Sequence, residues 1–140
     1  MTARIADAGF IIALNSPAVT ERNWARAVLQ RWNAPFITCE GALIEAAHFC
    51  APALIARLVD EGDFVVSFDL AEQIGPVRAL LEKYGDQEMD LTDACIVRMS
   101  ELFPDCKVFS VDGDFNIYRR FRDQPIPTVF PPDLGASSVS

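Results

Sequence analysis

Short apolar runs of strand character alternate with longer segments of helical periodicity from one end of this chain to the other, which restricts it to an α/β architecture. Arg4–Ala6, Phe36–Thr38, Phe64–Phe68, Lys107–Ser110 and Ile126–Phe130 read as strands, rich in β-branched and aromatic residues. Ala8–Leu14 turns helical after Gly9, and Thr20 caps a helix to Trp32 with Trp24, Ala27, Val28 and Arg31 at helical spacing. A helix starting at Glu40 or Gly41 carries Leu43, Ile44, Ala47 and Phe49 toward Pro52, with Glu45 on its first turns, and Ala53–Val59 makes another. Leu70–Tyr84 ends at Gly85, Leu91–Leu102 places Cys95, Ile96, Met99 and Leu102 on one face, and Phe115–Phe121 forms a short helix. Five strands with helical crossovers imply a mainly parallel sheet, because such crossovers are right-handed and return the chain in one direction.

The chain has 140 residues, 51% hydrophobic and 23% charged, a composition that folds rather than stays disordered. Residues 1–134 are expected to form one domain and the Gly135–Ser140 tail to be disordered. Met1–Val19 reads as mature protein rather than a leader, since Asp7 interrupts its apolar run and Asn15 and Ser16 follow. No run approaches the roughly 18 apolar residues a spanning helix needs. Cys39, Cys50, Cys95 and Cys106 lack C-x-x-C spacing and sit in apolar contexts, which points to buried free thiols and a reducing cytoplasm rather than to zinc. A net charge of −8 opposes unassisted binding to a phosphate polyanion, unless part of that charge holds a divalent cation.

Asp7, Glu45, Asp93 and Asp112 each sit where an apolar segment ends or a helical one begins. In open α/β sheets, ligands bind beyond the carboxyl ends of the strands, and all four positions belong to that edge. Taken singly, each has a plainer explanation. Asp7 reads also as a turn residue, Asp93 as an acid complementing a helix N-terminus capped by Asp90 or Thr92, and Asp112-Gly113 as a hairpin dipeptide. Glu45 stands among Leu43, Ile44, Ala46 and Ala47, with Glu40 as its rival. Jointly they describe a carboxylate cluster of the kind hard cations such as Mg²⁺ require, and crowding them without metal raises at least one pKa.

The segments I-A-D-A-G-F-I-I-A-L, I-T-C-E-G-A-L-I-E-A-A, M-D-L-T-D-A-C-I-V-R-M and F-S-V-D-G-D-F occur in that order, and nearly the whole chain thereby resembles the PIN-domain family, nucleases typical of VapC-type toxins. The resemblance implies a three-layer α/β/α sandwich around a five-stranded sheet. It aligns Asp7, Glu45, Asp93 and Asp112 with the family's catalytic acids and Asp114 with an auxiliary metal-binding acid. It implies Mg²⁺ or Mn²⁺ as cofactor, RNA as substrate, and phosphodiester hydrolysis by metal-activated water. A small cognate antitoxin and a homodimer are the partners it implies. Ala8 stands where the family often has a hydroxyl, and Ser110 where it usually has Thr.

Arg119 and Arg120 are candidate contacts to an RNA backbone, as are Arg122, Arg22 and Arg26, against the simpler reading of a solvated basic face. With His48 the only histidine and neither G-x-S-x-G nor a phosphate-cradling glycine loop present, serine hydrolase, P-loop and zincin chemistry are excluded. A module of the same fold that binds RNA or a partner with little catalysis is the competing reading.

Overall fold

Strand β1 (Ala3–Ala6) becomes buried as it proceeds, with Ile5 and Ala6 fully enclosed, because it runs through the middle of the sheet. In this computed structural model, residues 1–33 and 35–132 are described. β1 is flanked by β2 (Phe36–Thr38), then β3 (Phe64–Val66), on one side. On the other lie β4 (Cys106–Phe109) and the short β7 (Thr128–Val129). Every neighbouring pair is parallel. Helices α1 (Ala8–Ala13) and α2 (Val19–Trp32) connect β1 to β2, and α3 (Glu40–Ala46) and α4 (Pro52–Asp60) connect β2 to β3. Helices α5 (Ile74–Lys83) and α6 (Leu91–Leu102) then return the chain to β4, on the far side of β1. The direction of strand addition therefore reverses between β1 and β4, and a ligand crevice belongs at such a switch point.

The sheet is covered on both faces, giving the α/β/α sandwich. Register aligns Phe36 with Phe64 and Ala6 with Phe109, so the phenylalanines share one face. Phe10 of α1 stacks on Phe36 at 5.3 Å between ring centroids and also meets Phe109 and Trp24. Trp32 closes on Phe109 edge-on at 5.3 Å, which puts α1 and α2 over this face. Cys106 points to the opposite face, its Sγ 3.9 Å from the Ser100 carbonyl of α6, and α5 packs against α6. Offset and edge-on aromatic contacts of this kind add about 0.5–1.5 kcal/mol each beyond their burial.

Several boundaries differ from the sequence expectation. Helix α2 starts one residue before Thr20, and Ala18 at its N-cap makes no side-chain bond. Helix α3 stops at Ala46 instead of continuing to Pro52, so Glu45 lies in its last turn and not on its first turns. The expected helix over Phe115–Phe121 is a 3₁₀ turn, Gly113–Asn116, followed by an antiparallel pair of β5 (Arg119–Arg120) and β6 (Gln124–Pro125). That hairpin turns through Phe121 and Arg122 at φ of 49° and 77°. Such left-handed backbone is costly for non-glycine residues and persists where contacts hold it. The Glu101 carboxylate of α6 does so by accepting the Phe121 amide proton at 2.8 Å. The expected disordered tail, Gly135–Ser140, lies outside the described residues. Among the described residues no helix is long and apolar enough to cross a membrane, and all four cysteines are free thiols.

Candidate carboxylate site

Asp7 leaves β1 in extended conformation and caps α1, its Oδ1 accepting the Phe10 amide proton at 2.8 Å. Its other oxygen, Oδ2, accepts the Ser110 hydroxyl at 2.5 Å. Ser110 directly follows β4, and its Oγ in turn accepts the Asp112 amide proton at 2.9 Å. From the opposite neighbour, Thr38 at the end of β2 donates its hydroxyl to the Ala6 carbonyl at 2.7 Å. Hydroxyls from both flanking strands thus fix the exit of β1. Gly9 permits this closeness, since a Cβ there would fall 2.6 Å from Cγ2 of Val111, between Ser110 and Asp112.

Asp112 begins the 3₁₀ turn, its Oδ1 accepting the Asp114 amide proton at 2.9 Å. Asp93 stands in the first turn of α6, where its own amide donates to Oδ1 of Asp90 at 2.7 Å. The capping role therefore belongs to Asp90, and the Asp93 carboxylate is left for other work. It accepts the hydroxyl of fully buried Tyr118 at 3.1 Å.

The electrostatics tie these acids together. Burial pushes Asp7 up to about 7 against the hydrogen bonds from Ser110 and Phe10, with the charges of Asp112 and Asp93 pushing the same way. Asp93 also rises to about 7, first through burial and then through repulsion by Asp90, with Asp112 adding to it. Burial raises Asp112, and Asp114 and Asp90 contribute like-charge repulsion. Glu45 is raised by burial and by Asp90 and Asp112, partly offset by His48. Asp112 thus acts on Asp7, Asp93 and Glu45 and Asp93 acts on Asp7, whereas Glu45 feels neither Asp7 nor Asp93. Glu40, exposed at the start of α3, instead borders a surface depression with Val66, Phe68 and Leu70. Asp114 is exposed at the edge of the cluster.

The sequence missed Asp90 and Tyr118 as members of this site. Asp90 was readable only as a cap, and Tyr118 carried no signal, since its hydroxyl meets Asp93 across 25 positions of chain. In donor chemistry the set suits Mg²⁺ or Mn²⁺, because hard cations take carboxylate oxygens and would relieve the repulsion that raises these pKa values. Among the described residues no three His, Cys, Asp or Glu side chains are grouped to hold one ion as they stand.

The arginines have other employment. Arg119 Nη1 donates to the carbonyls of Asn116 and Tyr118 at 2.7 and 3.1 Å. Arg120 Nη1 donates to the carbonyls of Ser100 and Pro104 at 2.7 and 2.9 Å. Both guanidinium groups fasten backbone through Nη1. Arg22 and Arg26 likewise donate to the Ser16 and Leu14 carbonyls just after α1.

Compared with known proteins, the chain matches no protein-family profile and has no significant match among curated proteins.

Proposed function

We propose that this chain is a metal-dependent endoribonuclease that hydrolyses RNA phosphodiester bonds, acting in the cytoplasm as the toxin of a toxin–antitoxin pair. The observation that supports the nuclease reading is that Asp7 and Asp112 follow the adjacent strands β1 and β4 and are linked through Ser110, with the charge of Asp93 acting on Asp7. The motif resemblance to PIN domains supplies the substrate, the toxin role and the antitoxin partner.

Asp7, Asp93 and Asp112 would hold Mg²⁺ or Mn²⁺, with Glu45 as a further ligand or as the base that orients the attacking water, and Asp114 supporting from one side. A bound divalent cation supplies charge neutralisation for the phosphate and acidity for water. The rest of the work falls to the chain. Ser110 and the Phe10 amide hold Asp7 in one orientation, and Tyr118 does the same for Asp93. Fixing ligand orientation in this way commonly governs metal affinity. The net charge of −8 makes RNA binding without the cation unfavourable.

The test is RNA cleavage in Mg²⁺ by wild type, Asp7→Asn and Asp93→Asn proteins whose folding has been verified. Cleavage by wild type that falls by about 10²-fold or more in both variants supports the assignment. Undiminished cleavage in both overturns it. A small open reading frame immediately upstream, encoding a protein that silences the activity, tests the toxin role separately.

A second reading, a module of this fold that binds a partner with little catalysis, is favoured by the open arrangement of the acids and by the engagement of Arg119 and Arg120 with backbone. Cation binding without RNA cleavage distinguishes it.

A further inference from the structure

The β5–β6 hairpin carries side chains that its turn does not call for. Its three-residue turn, Phe121–Asp123, opens with two consecutive left-handed residues, Phe121 and Arg122, where Asn and Gly are the least strained choice. Phe121 is 40% exposed, and the Arg120 guanidinium lies over its ring at 5.2 Å from the centroid. That guanidinium is itself held by the Ser100 and Pro104 carbonyls, so the ring has a fixed backing. Arg122 is exposed and forms no ion pair among the described residues. Lys83, exposed at the end of α5, donates to the Arg122 carbonyl and so brings a second cation to the turn. Glu101 and Lys83 therefore hold from two helices a strained segment that displays an aromatic ring and two positive charges.

The hairpin is also tied to the carboxylates. Tyr118, just before β5, donates to Asp93, and Tyr84, next to Lys83, accepts the Arg119 amide proton at 2.8 Å and packs edge-on against Tyr118. Glu101 follows Asp93 by eight positions on α6, about 12 Å along the helix.

We propose that the tip of this hairpin is a contact for single-stranded RNA, with one base stacked on Phe121 and a neighbouring phosphate held by Arg122 and Lys83. The inference rests on the nuclease reading above and places the contact a few nucleotides from the bond cleaved. Every base offers a π-face, so stacking here would grip RNA without reading its sequence. Two acids of the supporting helices are already paired, Glu82 with Arg78 and Glu101 with Arg98, each at 3.0 Å. Asp123 follows Arg122 directly, so attraction for a phosphate at the tip depends on Lys83 acting with Arg122.

The test is the initial rate of cleavage of a mixed-sequence single-stranded RNA at fixed Mg²⁺ by the full-length chain and its Phe121→Leu, Phe121→Tyr, Lys83→Gln and Arg122→Gln variants, each shown by urea unfolding to be folded. Phe121→Leu is expected to raise KM about 10-fold with kcat unchanged, and Phe121→Tyr to keep the wild-type KM. Lys83→Gln and Arg122→Gln are each expected to lower the slope of log KM against log salt concentration by about 0.7, the share of one single-strand phosphate contact, whereas Phe121→Leu leaves that slope unchanged. Wild-type KM in Phe121→Leu together with unchanged slopes in the cation variants overturns the contact and leaves the tip to a protein partner. A fall in kcat at constant KM in Phe121→Leu overturns it as well, since that reports a disturbance passed to Asp93 through Tyr118. If the wild-type chain leaves RNA intact, the nuclease reading falls and this contact with it; cleavage by wild type that is indifferent to all four substitutions removes this contact alone.

Discussion

The Ser110 hydroxyl donates to Oδ2 of Asp7 at 2.5 Å, joining the ends of two adjacent parallel strands through a buried carboxylate. This bond opposes the burial that raises the Asp7 pKa. Ser110→Ala leaves the carboxylate short of a donor, which costs about 1–3 kcal/mol at pH values where Asp7 is ionised. Ser110→Thr keeps the hydroxyl and is expected to recover most of that loss. Urea unfolding of the three proteins measures it.

Stability of the cation-free protein should fall as pH rises from about 4 to about 8 through the contributions of Asp7 and Asp93. Both are pushed up to about 7 in the folded protein, against about 3.9 for an aspartate in an unfolded chain. Across that window the folded protein holds protons that the unfolded chain has released, so their stabilising effect is complete below the unfolded value and disappears as pH passes the folded one. Urea midpoints across the window should show this fall, and Asp7→Asn should reduce its slope. A midpoint that rises throughout, unchanged by the substitution, contradicts the burial of Asp7 as a charged group.

Mg²⁺ or Mn²⁺ should reverse that penalty. A cation that binds the folded carboxylates stabilises the fold by an amount that grows with the logarithm of its concentration over its dissociation constant, about 2.7 kcal/mol at a hundredfold excess. Thermal unfolding at mildly alkaline pH is expected to show a rising Tm for wild type with added cation and little change for Asp7→Asn or Asp93→Asn. Equal shifts in all three would place the ion elsewhere.

Gly9→Ala should disturb the site without touching an acid. The added methyl meets Cγ2 of Val111 at 2.6 Å, and Val111 has no long side chain with which to yield, so the segment carrying Ser110 and Asp112 must move. Overpacking of this kind costs about 1–3 kcal/mol. The double variant Gly9→Ala/Val111→Ala should regain part of it, and denaturant unfolding of both separates steric displacement from a helix effect.

Tyr118→Phe removes the donor to Asp93 while keeping the ring packed against Tyr84 and Phe115. The Asp93 pKa should then climb further, because the hydroxyl's hydrogen bond is among the influences holding it down. Carboxyl-carbon NMR titration of wild type and variant reads the change directly. A stability loss of about 1 kcal/mol accompanies it.

Much of the architecture was legible in the residues. Helix α6 spans Leu91–Leu102 as its apolar spacing predicts, and β2 covers Phe36–Thr38 as its composition predicts. Asp7 and Asp112 stand just beyond β1 and β4, where strand ends in a parallel sheet place them. The hairpin of Arg119–Arg120 with Gln124–Pro125 was not legible. Its left-handed turn is held by Glu101, which no local pattern near Phe121 announces.

Periodicity and composition were enough to establish the α/β class, the parallel strands and the places of Asp7 and Asp112 just beyond β1 and β4, because each is a property of backbone preferences expressed over a few neighbouring residues. Whether Asp90 or Thr92 caps α6, and how Arg119 and Arg120 spend their charge, depended on folding. Those outcomes rest on side chains meeting from distant parts of the chain, as Ser110 meets Asp7 across 103 positions, and such partners are chosen by packing rather than by local sequence.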